Sequence, residues 1–222
     1  MFRGQAEQDK FVVKILQNKK NGTYVELGTK YPIHGNNTYI LESKYEWRGI
    51  LIEYKDKWVN DYKKHRPNSN YVIKDASKID YNNLFLETNM PNNIDYLQID
   101  LEVDNGSTLN SLKKIENDVM KNYKFATITF EHDIYKSNYL DTRNESRKIF
   151  KNNGYFRVFS DINNKGIKPF EDWYIHPDLV DMNYVNYIIN KNGTKYKNNV
   201  YQDNYYQDSV VDKSINWQDI EY

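Results

Sequence analysis

The chain has 222 residues, no cysteine, and 31 basic residues balanced by 31 acidic ones. Disulfides, thiolate metal sites and cysteine nucleophiles are excluded, and the balanced charge builds no field for gripping a phosphate backbone, so no nucleic-acid partner is expected. No apolar run approaches a membrane span, and the opening MFRGQAEQDK lacks the apolar core of a signal peptide.

One domain with a large core is expected over residues 1–189, followed over 190–222 by a polar, nearly periodless tail. Heavy use of Asn, Tyr, Lys and Ile reflects AT-rich codons, the bias of a low-GC bacterial or large DNA viral genome. Asn-x-Ser/Thr triplets at Asn21, Asn36, Asn105, Asn144 and Asn192 are expected by chance in so Asn-rich a chain. A glycan on Asn36 would block the turn described below, which argues for a cytoplasmic location (a host's cytoplasm for a viral genome).

In chain order, helix and strand alternate. An amphipathic helix over 7–16 carries Phe11, Val12, Ile15 and Leu16. A β-rich run over 23–27 ends at Gly28. A polar loop closes on Asn36, Asn37 and Thr38, good helix N-caps, before a helix bearing Tyr39, Ile40, Leu41 and Tyr45. Gly49 is read as the break before a buried strand over 50–52, ending in Glu53. A polar helix over 55–65 stops at Pro67, and a third strand over 71–73 leads to Asp75. A short helix over 81–86, a strand over 94–101, a helix over 107–120 and a strand over 125–130 follow. The helix over 143–153 stops at Gly154, and strands over 155–159 and 173–175 flank turn residues Asn164 to Gly166. Seven strands in such alternation imply a mostly parallel sheet with helices on both faces. Its carboxyl ends then gather Glu26, Glu53, Asp75, Asp100 and Glu131 along one edge.

The first βαβ unit favours a nucleoside-bearing ligand. A helix start at residues 36–38 offers free N–H groups to a carboxylate or phosphate, and Glu53 is placed to accept both hydroxyls of a ribose. No G-x-G-x-x-G follows the first strand, so an ordinary crossover whose acids merely solvate the strand ends stays open.

The run E-L-G-x₇-N-N-T-Y-x-L-E-x₄-W-R-G-I-L-I-E, from Glu26 to Glu53, resembles the cofactor region of FkbM-type S-adenosylmethionine (SAM) methyltransferases. Further matches keep the family's order: Gln8-Asp9, Arg66-Pro67, Asp75-Ala76, Ile94-Asp95-Tyr96-Leu97 running into Asp100-Leu101-Glu102, and Glu131-His132. The similarity covers about residues 5–177. It departs at Glu26-Leu-Gly-Thr29-Lys30, where the family often has Asp-x-Gly-Ala, and at Glu102-Val103, where the usual pair is Glu-Gly. The resemblance implies a Rossmann-like class I methyltransferase fold, α/β with a seven-stranded, mostly parallel sheet. It also implies SAM as cofactor, held by Gln8, Glu26, Gly28, Asn36, Asn37, Thr38, Glu53, Asp75, Ala76 and Asp100, with Asp75 and Ala76 flanking the adenine.

Strand period puts Asp100 and Glu102 on one face, beside Glu131 and His132 if the fourth and fifth strands are neighbours. Methylating an alcohol requires removal of its proton, by a carboxylate, by an imidazole, or with help from a hard divalent cation. Asp100, Glu131 and His132 are the expected ligands of Mg²⁺ or Mn²⁺, and the set resembles the acid pairs of some sugar O-methyltransferases. Glu102 is preferred as base, with His132 as the alternative and Asp100 nearer the cofactor or metal. Each has a plain reading too: His132 bonding a backbone carbonyl, Glu131 pairing with a lysine, Glu102 capping the next helix, Asp100 binding cofactor through water. The expected activity is O-methylation of a sugar or glycan hydroxyl. A glycosyltransferase-type reaction and a non-catalytic sugar- or nucleoside-binding module are the competing readings.

Overall fold

The computed structural model describes residues 1–136, 139–163 and 169–191. The strands are β1 Thr23–Leu27, β2 Arg48–Glu53, β3 Ser69–Ile73, β4 Asn93–Ile99, β5 Lys124–Glu131, β6 Phe156–Asn163 and β7 Pro169–Ile175. The helices are α1 Gln8–Ile15, α2 Tyr39–Tyr45, α3 Val59–His65, α4 Tyr81–Glu87, α5 Ser107–Asp118, α6 Leu140–Asn152 and α7 Met182–Lys191.

One sheet runs in the order β3-β2-β1-β4-β5-β7-β6, with β1 to β5 parallel and β7 antiparallel to both its neighbours. This is the expected Rossmann-like arrangement. The central strands β1 and β4 are buried nearly end to end because helices cover both faces, and the polar residues they carry, Glu26, Asp95 and Gln98 among them, are buried too. One core packs Phe11, Tyr24, Leu41, Tyr96, Trp173 and Val185 under α1, α2 and α7. The other packs Leu97, Phe85, Ile115, Phe130 and Phe150 under α4, α5 and α6. Among the described residues, no helix is long and apolar enough to cross a membrane.

Four local readings change. Helix α2 ends at Glu46, which caps it in the left-handed region at φ 62°, so Gly49 is not its breaker. Gly49 lies inside β2, where a Cβ would come within 2.4 Å of the Tyr24 ring. Strand β4 ends at Ile99, so Asp100 to Glu102 belong to the loop that follows rather than to the strand. The pattern assigns nothing between Pro177 and the tail, yet α7 forms there. Asp181 Oδ1 caps it, accepting from the N–H groups of Asn183 (2.9 Å) and Tyr184 (3.2 Å), and Val185 and Ile188 bury into the first core. The Asn164 to Gly166 turn and the tail beyond residue 191 lie outside the described residues.

Candidate active site

A cavity of about 1100 Å³ opens along the carboxyl ends of β1 to β5. Of the residues expected to bind cofactor or substrate, Glu26, Gly28, Asn37, Glu53, Asp75, Ala76, Asp100, Glu102 and Glu131 line it. Gln8, Asn36, Thr38 and His132 do not. Gly28 is required where the chain leaves β1: it sits at φ 85°, and a Cβ there would meet the Asp100 carbonyl oxygen at 1.7 Å.

At the tip of β2 the Glu53 carboxylate is held by two backbone amides. Lys30 N–H donates to one oxygen (2.9 Å) and Lys55 N–H to the other (3.0 Å), which fixes the group while it faces the cavity. Asp75 accepts from the Ser77 hydroxyl (2.7 Å) and amide (3.0 Å) and pairs with Lys78. These contacts, the Ser77 hydroxyl foremost, hold it below the usual carboxylate range and set the backbone beside buried Ala76.

The start of α2 is a different object from the one expected. Asn36 Oδ1 accepts from the N–H groups of Thr38 (3.0 Å) and Tyr39 (2.7 Å), and the Asn37 N–H donates to Glu26 (3.3 Å). The amides of Asn37, Thr38 and Tyr39 are thus already committed within the protein. Glu26 itself turns inward, accepting from Asn36 Nδ2 and from the Thr38 hydroxyl (2.6 Å). Burial raises its pKa, and the Arg66 guanidinium and these donors oppose the rise. Gln8 is likewise a strut: its Oε1 accepts from the Ala6 N–H, and its Nε2 donates to Glu171.

Arg66 is the residue that sequence reasoning passed over. Fully buried, it makes five hydrogen bonds, to Glu42 (2.8 Å), Pro32 O (3.3 Å), Asn36 (2.9 Å), Tyr24 (2.7 Å) and Thr38 (2.6 Å). Glu42 completes the network with Ser69 and Tyr24. The only available signal was the presence of both Glu42 and Arg66 in the resemblance.

The tips of β4 and β5 bring Asp100 and Glu131 onto the same cavity wall, where each acts on the other's ionisation. Burial foremost, with the neighbouring acids Asp100, Asp133 and Glu171, pushes Glu131 up to about 12. Glu102 is exposed and lines the same cavity. Across the β5–β7 pair, Glu131 faces Glu171, whose burial raises it to about 8.

His132 lies on the other face. Glu131 is in register with Glu171 and Phe130 with Asp172, so alternation sends Phe130, His132 and Asp172 away from the cavity. His132 is wholly buried, with Nε2 3.5 Å from Asp172 and 3.6 Å from Asp161. The expected triad of Asp100, Glu131 and His132 is therefore not assembled, and His132 is no neighbour of Glu102. Among the described residues, His132, Asp161 and Asp172 are the one set of three ligand-type groups that converge. Both carboxylates there are already paired, Asp161 with Arg143 and Arg147 and Asp172 with Arg147. Burial alone would raise Asp172, but the Arg147 and His132 contacts outweigh it and hold it well below the usual range. The set ties α6 to the β6–β7 hairpin.

These ionisations predict a stability profile. Burial also raises Asp9, from 3.8 to about 6. Asp9, Glu171 and Glu131 keep protons in the folded state that the unfolded chain releases above its ordinary carboxylate pKa values. Their contribution is complete below that range and is lost as pH rises. Asp172 acts oppositely, stabilising above its unfolded pKa and losing its effect in acid. The Tm of the ligand-free protein is expected to peak near pH 5 and to fall by on the order of 5–10 °C by pH 8. A scanning-calorimetry series with a flat or rising Tm over that interval would contradict these assignments.

Comparison with known proteins bears on the fold. No family model and no curated protein matches the chain. Among solved structures, Rv0187 from MTB, with its cofactor bound, is similar at a TM-score of 0.53 and 13% identity, over 77% of this chain and 79% of that one. A candidate rRNA methylase from Clostridium thermocellum is similar at 0.52 and 14% identity, over 79% and 98% of the two chains. A TehB-like SAM-dependent methyltransferase from Corynebacterium glutamicum is similar at 0.51 and 11% identity, over 79% and 89%. The chain has the Rossmann-like fold of these methyltransferases.

Proposed function

We propose that the chain is a SAM-dependent O-methyltransferase of FkbM type, acting on a hydroxyl of a sugar or glycan. The observation that carries this reading is the cavity itself. One end holds a ribose acceptor, Glu53, fixed by two amides, and the other holds the acids Asp100, Glu102 and Glu131. Single-ligand clefts are typically about 300–1,000 Å³, so the volume leaves room for an acceptor beside a cofactor. The similarity to SAM-dependent methyltransferases supports the cofactor, and the order of the FkbM-like motifs supports the family.

Bound here, SAM supplies an electrophilic methyl group. The chain's residues do the rest. Glu53 accepts the ribose hydroxyls and orients the adenosine, while Asp75 and Ala76 border the base. Gly28 keeps the floor open. Glu102, at the exposed end, accepts the proton of the attacking hydroxyl. The acids at that end, with Asp133, suit an uncharged hydroxyl acceptor, while Lys30, Lys55, Lys57 and Lys74 line other parts of the cavity. The expected three-ligand set is not assembled, because His132 has gone to the opposite face of β5. No step is derived through a metal.

Glu53→Ala is expected to weaken SAM binding by roughly 1–3 kcal/mol, the scale of hydrogen bonds to a charged group. Titration calorimetry measures this directly, and unchanged affinity removes Glu53 from the cofactor site.

A further inference from the structure

The cavity is polarised. Its wall after β4 and β5 carries Asp100, Glu102, Glu131 and Asp133, whereas the wall after β1, β2 and β3 carries Lys30, Lys55, Lys57 and Lys74. All four lysines are exposed, and none is ion-paired with a carboxylate among the described residues. The acids beside them are already engaged: both Glu53 oxygens accept backbone amides, and Asp75 holds Ser77 and Lys78. Two of the ammonium groups lie against rings instead. Lys30 Nζ is 5.3 Å from the Tyr31 ring centre and Lys57 Nζ is 4.6 Å from that of Trp58. The two rings meet edge to face with centroids 4.7 Å apart, and both line the cavity. Unpaired like charges gathered on one concave wall repel one another, and an anion relieves that repulsion. SAM does not supply the anion: with its ribose on Glu53, the part beside these lysines is the uncharged adenosine.

We propose that the acceptor sugar is presented as a nucleoside diphosphate sugar, its diphosphate on the lysine wall and its base against Tyr31 and Trp58. This rests on the methyltransferase reading above. A diphosphate spreads its charge over several oxygens and so answers several ammonium groups, where a single carboxylate answers one. The exposed face of Tyr31 beside Trp58 suits a planar base. Lys30 joins the two walls, since its charge acts on Asp100, and a sugar held beyond the diphosphate faces Glu102. A nucleic-acid strand needs a longer track of cations, and this chain balances 31 basic residues with 31 acidic ones.

The test titrates uridine, guanosine and thymidine diphosphates, inorganic pyrophosphate and a short single-stranded oligoribonucleotide into protein saturated with S-adenosylhomocysteine. At least one nucleoside diphosphate is expected to bind without displacing S-adenosylhomocysteine. In the double variant Lys30→Gln/Lys57→Gln its affinity should fall by roughly tenfold or more, the scale of a hydrogen bond to a charged group. S-adenosylhomocysteine should bind that variant as tightly as wild type. Tyr31→Leu should weaken the nucleoside diphosphate and leave pyrophosphate unchanged, which separates a nucleotide from a sugar phosphate or a lipid-linked diphosphate. All three substitutions are at exposed positions, so the fold is retained. Four results overturn the nucleotide-linked acceptor and leave the cofactor reading intact: no nucleoside diphosphate binds, binding ignores the lysine pair, Tyr31→Leu affects nucleotide and pyrophosphate equally, or the oligoribonucleotide alone binds. A nucleoside diphosphate that displaces S-adenosylhomocysteine also overturns it, because the lysines then serve the cofactor position. Wild-type protein that fails to bind S-adenosylhomocysteine overturns the methyltransferase reading and this inference with it.

Discussion

Glu102→Gln is expected to lower kcat by about 10²–10⁴-fold, the usual range for losing a general base, with SAM affinity and Tm unchanged. Glu102 lines the cavity, is exposed to an incoming acceptor, and makes no ion pair among the described residues. A glutamine keeps its shape and hydrogen bonds but cannot take up a proton at neutral pH. His132, the other base that the sequence offered, is wholly buried on the opposite face of β5, so His132→Asn should act on stability rather than on the chemical step. The informative control is Asp100→Asn. Burial raises Asp100 toward its neutral form, so a neutral amide there leaves no bare buried charge. Steady-state kinetics at saturating SAM separates the cases. Near-normal turnover in Glu102→Gln beside a collapsed rate in Asp100→Asn would move the base to the carboxyl pair.

Arg66→Ala is expected to cost about 3–5 kcal/mol, the range for removing one partner of a buried ion pair. At about 2–4 °C per kcal/mol for a chain of this size, its Tm should fall by roughly 10 °C or more. The five hydrogen bonds of Arg66 go to groups from β1, α2 and the loop between them, so its loss strands Glu42 and leaves Glu26 without its opposing charge. Arg66→Lys should recover only part of the loss, because one ammonium cannot reach the directions that the planar guanidinium spans. Differential scanning calorimetry that finds Arg66→Ala within 2 °C of wild type would show the network to be dispensable.

The elements that were readable and those that were not differ in one respect. The place of Gly28, Glu53 and Asp75 on the cavity wall was readable because it depends on a local unit: each lies at or just past the end of a parallel strand, and strand ends of an open α/β sheet meet at one edge wherever the neighbours lie. The helix faces were readable for the same reason, since a 3.6-residue period needs no partner to be seen. The α7 helix carries Met182, Val185 and Ile188 at helical spacing behind a single Asp181 cap, a local signal that was equally legible.

Residues 1–189 thus carried in their order the sheet, its parallel strands and the acids at their tips, because hydrophobic period and strand-end chemistry are local. Which acids confront one another was a matter of register between distant segments. Glu131 and His132 are consecutive, so alternation sends them to opposite faces; the neighbours of β5 decide that one meets Asp100 and the other Asp161 and Asp172. The donors to Glu26, and the Arg66 guanidinium that opposes its rise in pKa, come from residues 10 to 40 positions onward. A hydrogen bond or an ion pair is fixed by distance in space, and the chain between its two ends leaves no periodic trace from which that distance can be read.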